Sequence, residues 1–275
     1  MKRFACLLTL PLAFALGGCP KDNQDPLTLA EASEALQEAS DSSQAGALTS
    51  ASIDISTNFT IGQAVGDAAT ELKTFIASQL PCAEVTLSGA TLTIDYGVNP
   101  GNCTYRGHTF SGSSSVTVSK DDMNQVIVDH TWTNLSNGVV EINGTAEVTW
   151  NFSDVTRHIT HDVSWTHLKS QRTGHGTGDR TESALPEGIA VGMQIDGTRT
   201  WVGQRGEWDL AINAVQMRWA DPIPQAGSYV LTTPFNKTIT LSFARVDDNT
   251  IAATLSGPKR SFTFNVSEAG DATAQ

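Results

Sequence analysis

Apolar and polar residues alternate with a period of two along most of the chain after residue 82. In the segment "VIVDHTW", Val126, Val128 and Trp132 share one parity, whereas Asp129 and Thr131 have the other. Successive side chains of a strand point to opposite faces, so this pattern predicts strands with one buried and one solvent-facing side. Such strands are typical of antiparallel sheets, because parallel strands are usually buried on both faces.

Further strands follow along the chain, separated by turn residues. Turns are predicted at "SNG" (136–138), "NFSD" (151–154) and "KSQRTG" (169–174), and the glycine-rich "TGHGTGD" (173–179) is interpreted as a flexible hairpin turn. Later strands are predicted at 85–96, 107–119, 171–182, 190–202, 207–219, 227–233, 237–246, 250–256 and 260–267. We therefore expect a mainly β (α+β) fold whose long antiparallel meander sheet is curved or half-barrel-like.

The region before residue 82 has helical periodicity in two places. An amphipathic helix or linker is predicted over 27–47, with Thr28 as its N-cap and Glu31 three residues later. A second helix is predicted over 62–80, and the intervening "TSASIDISTNFTIG" is interpreted as a strand. One or two N-terminal helices are thus expected to pack on the sheet. The expected organisation is a single β-rich domain over 48–268, followed by a disordered tail over 269–275.

The first eighteen residues have the organisation of a signal peptide. Lys2 and Arg3 precede an apolar stretch that ends at Leu16, and two glycines follow it. The apolar stretch is too short to span a bilayer as a helix. Residues 1–18 are therefore predicted to be a secretory signal that is removed from the mature protein.

The residues Leu16-Gly17-Gly18-Cys19 resemble the lipobox of bacterial lipoproteins. This resemblance implies that Cys19 becomes the lipidated N-terminus, carrying diacylglycerol and a further acyl chain such as palmitate. It also implies sorting to the outer membrane, because Pro20 stands where inner-membrane lipoproteins usually carry Asp. Residues 19–26 would then form a polar tether to the membrane, and the strands that follow resemble those of uncharacterised β-rich lipoproteins.

Two cysteines remain once Cys6 leaves with the signal and Cys19 carries lipid. Cys82 and Cys103 are expected to form a disulfide in an oxidising compartment, which would stabilise the fold by roughly 3 kcal/mol. The alternative is a cysteine-based metal site, but a CxxC motif and adjacent histidine ligands are missing from the sequence.

Net charge limits the classes of partner. The formal charge of -12 disfavours binding to nucleic acid, whose phosphates would be repelled. The partners expected are the membrane, through the N-terminal lipid, and an unknown ligand or envelope protein.

Four of the six tryptophans follow a Ser or Thr near the end of a predicted strand. Our first interpretation is that these rings fill the ends of the core. Two alternatives are an aromatic belt at a membrane interface and a ligand-binding site. In the second alternative Trp201 and Trp208, together with Arg199 and Arg205, would stack a sugar or another flat ligand.

Catalytic and metal-binding motifs are missing from the sequence. His158 and His161 have opposite parity, and His161 lies about 20 Å along the strand from His167, so neither pair forms a local ligand set. His175 is the fourth histidine of this region. A zinc or copper site would need a nearby carboxylate such as Asp162 to join from a neighbouring strand. No cofactor and no catalytic residue is predicted. A non-enzymatic binding or structural module of the cell envelope is expected. A carrier of lipid or another hydrophobic ligand is the second hypothesis, and an envelope hydrolase or metal-binding protein is the third.

Overall fold

The computed structural model describes residues 25, 26, 28–57, 64–123, 125–151, 154–267 and 271–274. The predicted signal segment, Cys19 and most of the predicted tether lie outside these residues. Within them, the helices are α1 (Leu29–Ile55) and α2 (Val65–Gln79). The strands are β1 (Glu84–Ser88), β2 (Thr91–Tyr96), β3 (Thr104–Tyr105), β4 (His108–Thr109), β5 (Ser111–Lys120), β6 (Val126–Ser136), β7 (Val140–Asn151), β8 (Thr156–His167), β9 (Thr173–Ala184), β10 (Gly192–Gly203), β11 (Gly206–Arg218), β12 (Ala226–Thr232), β13 (Thr238–Asp247), β14 (Thr250–Ser256), β15 (Ser261–Ser267) and β16 (Ala272–Ala274).

One 14-stranded antiparallel sheet forms the body of the protein. Its strands follow the order β1-β2-β5-β6-β7-β8-β9-β10-β11-β12-β13-β14-β15-β16, so each strand pairs with its neighbours along the chain. The strands β3 and β4 form a separate small hairpin. The sheet stays open, with β1 and β16 at its two edges. The mainly β meander with packed helices that the alternation predicted is therefore confirmed.

Three local predictions differ from the structure. The predicted strand 85–96 is the hairpin of β1 and β2, which turns at Gly89 with φ 62°. The segment 173–179, interpreted as a turn, is the first half of β9, and its glycines pair with bulky residues on both neighbouring strands. Residues 272–274, expected in a disordered tail, pair with β15 as β16.

The first helix is longer than predicted and replaces part of a predicted strand. Its capping box is confirmed, because Thr28 Oγ1 accepts from the Glu31 amide while the Glu31 carboxylate accepts from the Thr28 amide. It continues to Ile55, where alternation of Ser and Ile had suggested a strand. Ile53 and Ile55 are fully buried, so burial of this segment overrides its β propensity. Residues 58–63, which hold the end of that predicted strand and the start of the helix predicted over 62–80, lie outside the described residues.

The helix α1 crosses one face of the sheet, here called the inner face. Near its C-terminal end, Ser52 Oγ accepts a hydrogen bond of 2.8 Å from Trp132 Nε1 of β6. Near its N-terminal end, the Glu31 carboxylate accepts from Lys237 Nζ, at 2.6 Å, in the turn between β12 and β13. The helix therefore spans the inner face from β6 to the turn before β13.

Charged groups fix the N-terminal half of α1 to the sheet. Arg172 donates to Glu34 at 3.1 Å, to Glu38 at 2.5 Å and to Asp41 at 2.7 Å. The carboxylates of Glu38 and Asp41 are almost completely buried, so this guanidinium neutralises charges that would otherwise destabilise the fold.

A second ion-pair cluster holds the C-terminal half of α1. Arg157 of β8 donates to Asp54 at 3.0 Å and to Glu182 at 2.5 Å, and Arg180 also donates to Glu182, at 2.8 Å. Burial alone would raise the pKa of Glu182, but Arg157 and Arg180 hold that pKa below its usual value. The carboxylate is therefore ionised in the folded protein.

The second helix covers the other end of the sheet. The side chains of Ala68, Ala69, Leu72 and Ile76 are buried, and α2 packs against β1, β2 and β5. Just after it, Cys82 and Cys103 form the predicted disulfide, with their Cα atoms 5.3 Å apart.

Candidate functional site

A polar surface with two adjoining grooves lies on the outward face of the sheet, opposite α1. The inward side chains of β6–β8, such as Val128, Val148 and Val163, are buried beneath α1 and its neighbours. The outward positions of the same strands carry Thr, Ser, Asn, His and carboxylate side chains. This alternation is what turns one face of the sheet into a core and the other into a polar surface.

The first groove, the rim groove, lies where β7, β8 and β9 approach the end of the sheet that carries the turn after β10. It has a volume of about 500 Å³. Its lining consists of Glu141, Asn143, Ser164, Trp165, Thr166, Thr173, Gly174, His175, Val202, Gly203 and Gln204.

The second groove, the central groove, lies further along the same strands and has a volume of about 470 Å³. Three consecutive residues from each of β6, β7 and β8 line it: Asp129, His130, Thr131, Thr145, Ala146, Glu147, Thr160, His161 and Asp162. Asp129 lies directly opposite Glu147 in the register of β6 and β7. Burial, and then the charge of Glu147, raise the pKa of Asp129.

A histidine–aspartate pair joins the two grooves. His175 Nε2 of the rim groove lies 2.7 Å from Asp162 Oδ1 of the central groove. A second pair of the same kind lies on the outward face of β8 and β9. His158 Nε2 is 2.7 Å from Asp179 Oδ1. Both pairs are exposed, so their hydrogen bonds are open to solvent and to a ligand.

The histidines of the sequence are placed in different environments. His161 lies in the lining of the central groove, but burial, together with Arg199 and Arg180, lowers its pKa to about 3. His167 accepts from the Ser170 amide at 3.2 Å within a turn. Among the described ranges, no three His, Cys, Asp or Glu side chains converge as a metal site would require.

The Ser56–His130 pair belongs to the core. Ser56 Oγ lies 2.8 Å from His130 Nε2, and the serine hydroxyl also bonds to backbone carbonyls of α1. Both residues are 1% exposed. Burial lowers the pKa of His130 to about 4, so the imidazole is neutral. The pair fixes the end of α1 to β6 and is closed to any substrate.

The predicted ligand-binding residues are mostly interior. Trp201 and Trp208 are 2% and 0% exposed, and their rings stack with centroids 6.1 Å apart. The Arg199 guanidinium lies over the rings of Trp165 and Trp201. Arg205 is separate from them, exposed in the turn after β10, and 3.9 Å from Glu34. A sugar needs an exposed ring to stack on, and neither Trp201 nor Trp208 is exposed. Their role here is packing.

Glycines of β9 make room for this interior layer. A Cβ atom added to Gly176 would lie 2.7 Å from the Thr200 carbonyl oxygen and 2.8 Å from Trp201 Cβ. On Gly178 it would lie 2.7 Å from His161 Nε2. The glycine-rich segment thus allows large rings of β8 and β10 to pack over the backbone of β9.

In the part of the chain that the structure describes, three apolar side chains of β14 and β15 are exposed on the inner face. Leu255, Phe262 and Phe264 are 41%, 52% and 37% exposed, although they have the inward parity of their strands. The N-terminal end of α1 lies at the turn before β13, so this helix does not extend over β14 and β15.

The alternation of polar and apolar residues could have identified both the polar outward face and the apolar side chains of β14 and β15. Asp129, Glu141 and Glu147 share the polar parity of their strands, and Leu255 and Phe262 share the apolar parity of theirs. The capping residues predict where α1 begins, but the sequence does not show on which strand that end packs, so the exposed apolar side chains of the inner face were missed.

Comparisons with known proteins do not identify a function for the two grooves or for the exposed apolar side chains. No protein-family model, no curated protein and no solved structure matches the chain. Neither described helix is both long enough and apolar enough to cross a bilayer.

Proposed function

We propose that this chain is a lipid-anchored, non-enzymatic binding protein of the bacterial cell envelope, and that the two outward grooves bind a cationic ligand. The anchor is Cys19, which would attach the mature N-terminus to the outer membrane. The ligand class is a compound with several amino groups, such as a polyamine or a lysine-rich peptide segment.

The observation that carries this proposal is the composition of the two linings. They contain the carboxylates of Glu141, Asp129, Glu147 and Asp162, together with hydroxyl and amide groups. Within these two linings there is neither a lysine nor an arginine. A cation would therefore meet carboxylates and hydrogen-bond acceptors in both linings, with no lysine or arginine among the lining residues to repel it.

The position of the chain start supports an anchor at the sheet rim. Lys259 Nζ lies 3.3 Å from the Asp25 carboxylate, and Lys237 Nζ donates to the Pro26 carbonyl at 3.3 Å. These two lysines occupy neighbouring turns, so they hold the beginning of the described chain at one rim. About six residues separate Cys19 from Asp25, which gives a tether of roughly 20 Å at most.

The anchor is tested by replacing Cys19. The Cys19→Ser variant of the full chain should lack the acyl mass at its N-terminus and should no longer be processed as a lipoprotein. Mass spectrometry of the purified protein measures this directly. If neither the original chain nor the variant carried acyl mass at its N-terminus, the anchor would be refuted.

The groove is tested with spermine as the probe in isothermal titration calorimetry. Asp162→Asn and Glu147→Gln should each weaken binding by about two- to fivefold, because each removes one of the four carboxylates. Asp248→Asn is the matched control, since this exposed aspartate lies in the turn after β13, outside both linings. Equal weakening by the control would show that spermine responds only to overall charge and would contradict the proposal.

A further inference from the structure

The uncovered inner surface of β14 and β15 lies beside the rim from which the membrane tether leaves. Leu255 of β14 and Phe262 of β15 are register partners, and the turn Gly257–Arg260 joins the two strands. Lys259 of that turn pairs with Asp25 at the start of the described chain. The exposed apolar side chains and the chain start are therefore at the same end of the molecule.

The sheet edge makes these side chains prominent. The strand β16 pairs with Phe264, Asn265 and Val266, so the beginning of β15 forms the edge of the described sheet. Phe262 lies on this edge portion and is the most exposed of the three apolar side chains. An aromatic side chain at a sheet edge can enter a lipid bilayer while the rest of the sheet stays in place.

Charge at the same place favours an anionic surface. Lys259 and Arg260 are adjacent and exposed in a chain whose formal net charge is -12. Basic residues next to exposed aromatic and aliphatic side chains are typical of protein surfaces that bind anionic bilayers.

The size of the surface fits a bilayer better than a second protein chain. Three side chains that each expose at most about half of a roughly 200 Å² surface present about 300 Å² together. A stable protein interface buries about 800 Å² per partner. A bilayer does not need that area, because the lipid anchor supplies most of the attachment.

We propose that the β14–β15 hairpin docks on the surface of an anionic bilayer, with Leu255, Phe262 and Phe264 entering the headgroup region and Lys259 and Arg260 contacting the lipid phosphates. The geometry rests on the proposed anchor, since a tether of roughly 20 Å keeps this rim close to the membrane. Docking fixes the orientation of the domain. The hairpin end points to the bilayer, and the inner face of β14 and β15 forms the contact.

The experiment uses single-cysteine variants of the lipidated full-length protein. The mature chain has Cys82 and Cys103 in a disulfide, so an added cysteine is the thiol available for an environment-sensitive fluorophore. Phe262→Cys places the label on the proposed contact. Thr263→Cys is the matched control, because it is the next residue of the same strand and points to the opposite face. Mass spectrometry of the N-terminus is recorded first, so that failure of the anchor is seen separately from failure of docking.

Vesicles of phosphatidylglycerol and phosphatidylcholine should shift the emission of the label at 262 to the blue, and lipids carrying a quencher on the acyl chain should quench it. The label at 263 should change little. The double change Lys259→Glu and Arg260→Glu should weaken the response at 262 by about tenfold or more, and vesicles of phosphatidylcholine alone should give a weaker response as well.

Three outcomes would overturn the proposal. The first is no response at 262 although the anchored protein is on the vesicles, and the second is an equal response at 262 and 263. The third is a blue shift at 262 that appears without vesicles and grows with protein concentration, because it would assign this surface to a second copy of the chain. Leu255→Cys repeats the test at an independent position of the same surface.

Discussion

The indole of Trp165 covers the backbone of Gly174, its register partner on β9. A Cβ atom added to Gly174 would lie 2.6 Å from Trp165 Cε2 and closer still to Cζ2. The ring is 3% exposed, and the Arg199 guanidinium lies over it, 5.7 Å from the ring centroid. The glycine is therefore required by close packing, since the ring has no free space into which it could move.

Gly174→Ala should destabilise the fold by about 2 kcal/mol, because the added methyl group forces the indole out of its packed position. Thermal or denaturant unfolding of the purified protein measures this change. Gly66→Ala is the matched control. Gly66 lies in α2 with no atom within 4 Å of an added Cβ, so alanine there should stabilise by about 0.5–1 kcal/mol. A stabilising effect at both positions would contradict the packing described for β9.

The cluster around Arg172 leads to a second prediction. Arg172→Gln should destabilise the protein by about 3 kcal/mol, because Glu38 and Asp41 would remain buried without a cation. Arg205→Gln should cost less than about 0.5 kcal/mol, since Arg205 is 65% exposed and 3.9 Å from Glu34. Denaturant unfolding compares the two variants. A similar loss in both would mean that α1 is not held by the buried cluster.

Two buried histidines predict how stability depends on pH. Burial lowers the pKa of His130 to about 4 and of His161 to about 3, whereas an unfolded chain titrates its histidines near 6.5. Below pH 6.5 the unfolded chain binds protons that the folded chain rejects. Stability is therefore fully present above pH 6.5 and should fall by about 1 kcal/mol or more per pH unit between pH 6.5 and 4.5.

Glu38 acts in the opposite direction, because burial raises its pKa and protonation relieves that penalty. The measurement therefore compares how steeply the free energy of unfolding depends on pH in two proteins. The variant with both His130→Gln and His161→Gln should show a flatter dependence of unfolding free energy on pH than the original chain, with Glu38 acting equally in both. Parallel curves would contradict the assignment of the slope to these histidines.

The Cys82–Cys103 disulfide should contribute roughly 3 kcal/mol, since it closes a loop with a sequence separation of 21. The intact protein should be lighter than its reduced form by two hydrogens. The variant with both cysteines changed to alanine should unfold at lower denaturant concentration and should not respond to reducing agent. A melting temperature that is insensitive to reduction in the original chain would be at odds with this contribution.

Much of the fold could be predicted from the sequence because it is a meander with one buried face. The strand predicted over 250–256 coincides with β14, and most of the others agree within a few residues. Where prediction failed, long-range contacts were decisive. Ser52 and Ser56 bond to Trp132 and His130 on β6, and nothing in the local alternation indicates that these partners keep the segment helical.

The candidate surfaces were less predictable than the fold. Asp162 and His175 are 13 residues apart in sequence, and their hydrogen bond depends on the register between β8 and β9. Trp201 and Trp208 were expected either to fill the core or to bind a ligand, and only the position of α1 explains why both rings are buried. Sequence parity assigns a residue to a face, but it does not show what covers that face.

The course of α1 across the sheet also bears on how the chain folds. The helix precedes every strand of the sheet in the sequence, yet its Glu31 pairs with Lys237, which lies 206 residues later. Its buried side chains have no complete partner surface until β13 has been added. Contacts of such long range make folding slow, so the domain should reach its native state only once nearly the whole chain is available to fold. A chain interrupted before β12 would lack Lys237, so Glu31 at the start of α1 would lose its partner, although Arg172 would still hold Glu38 and Asp41.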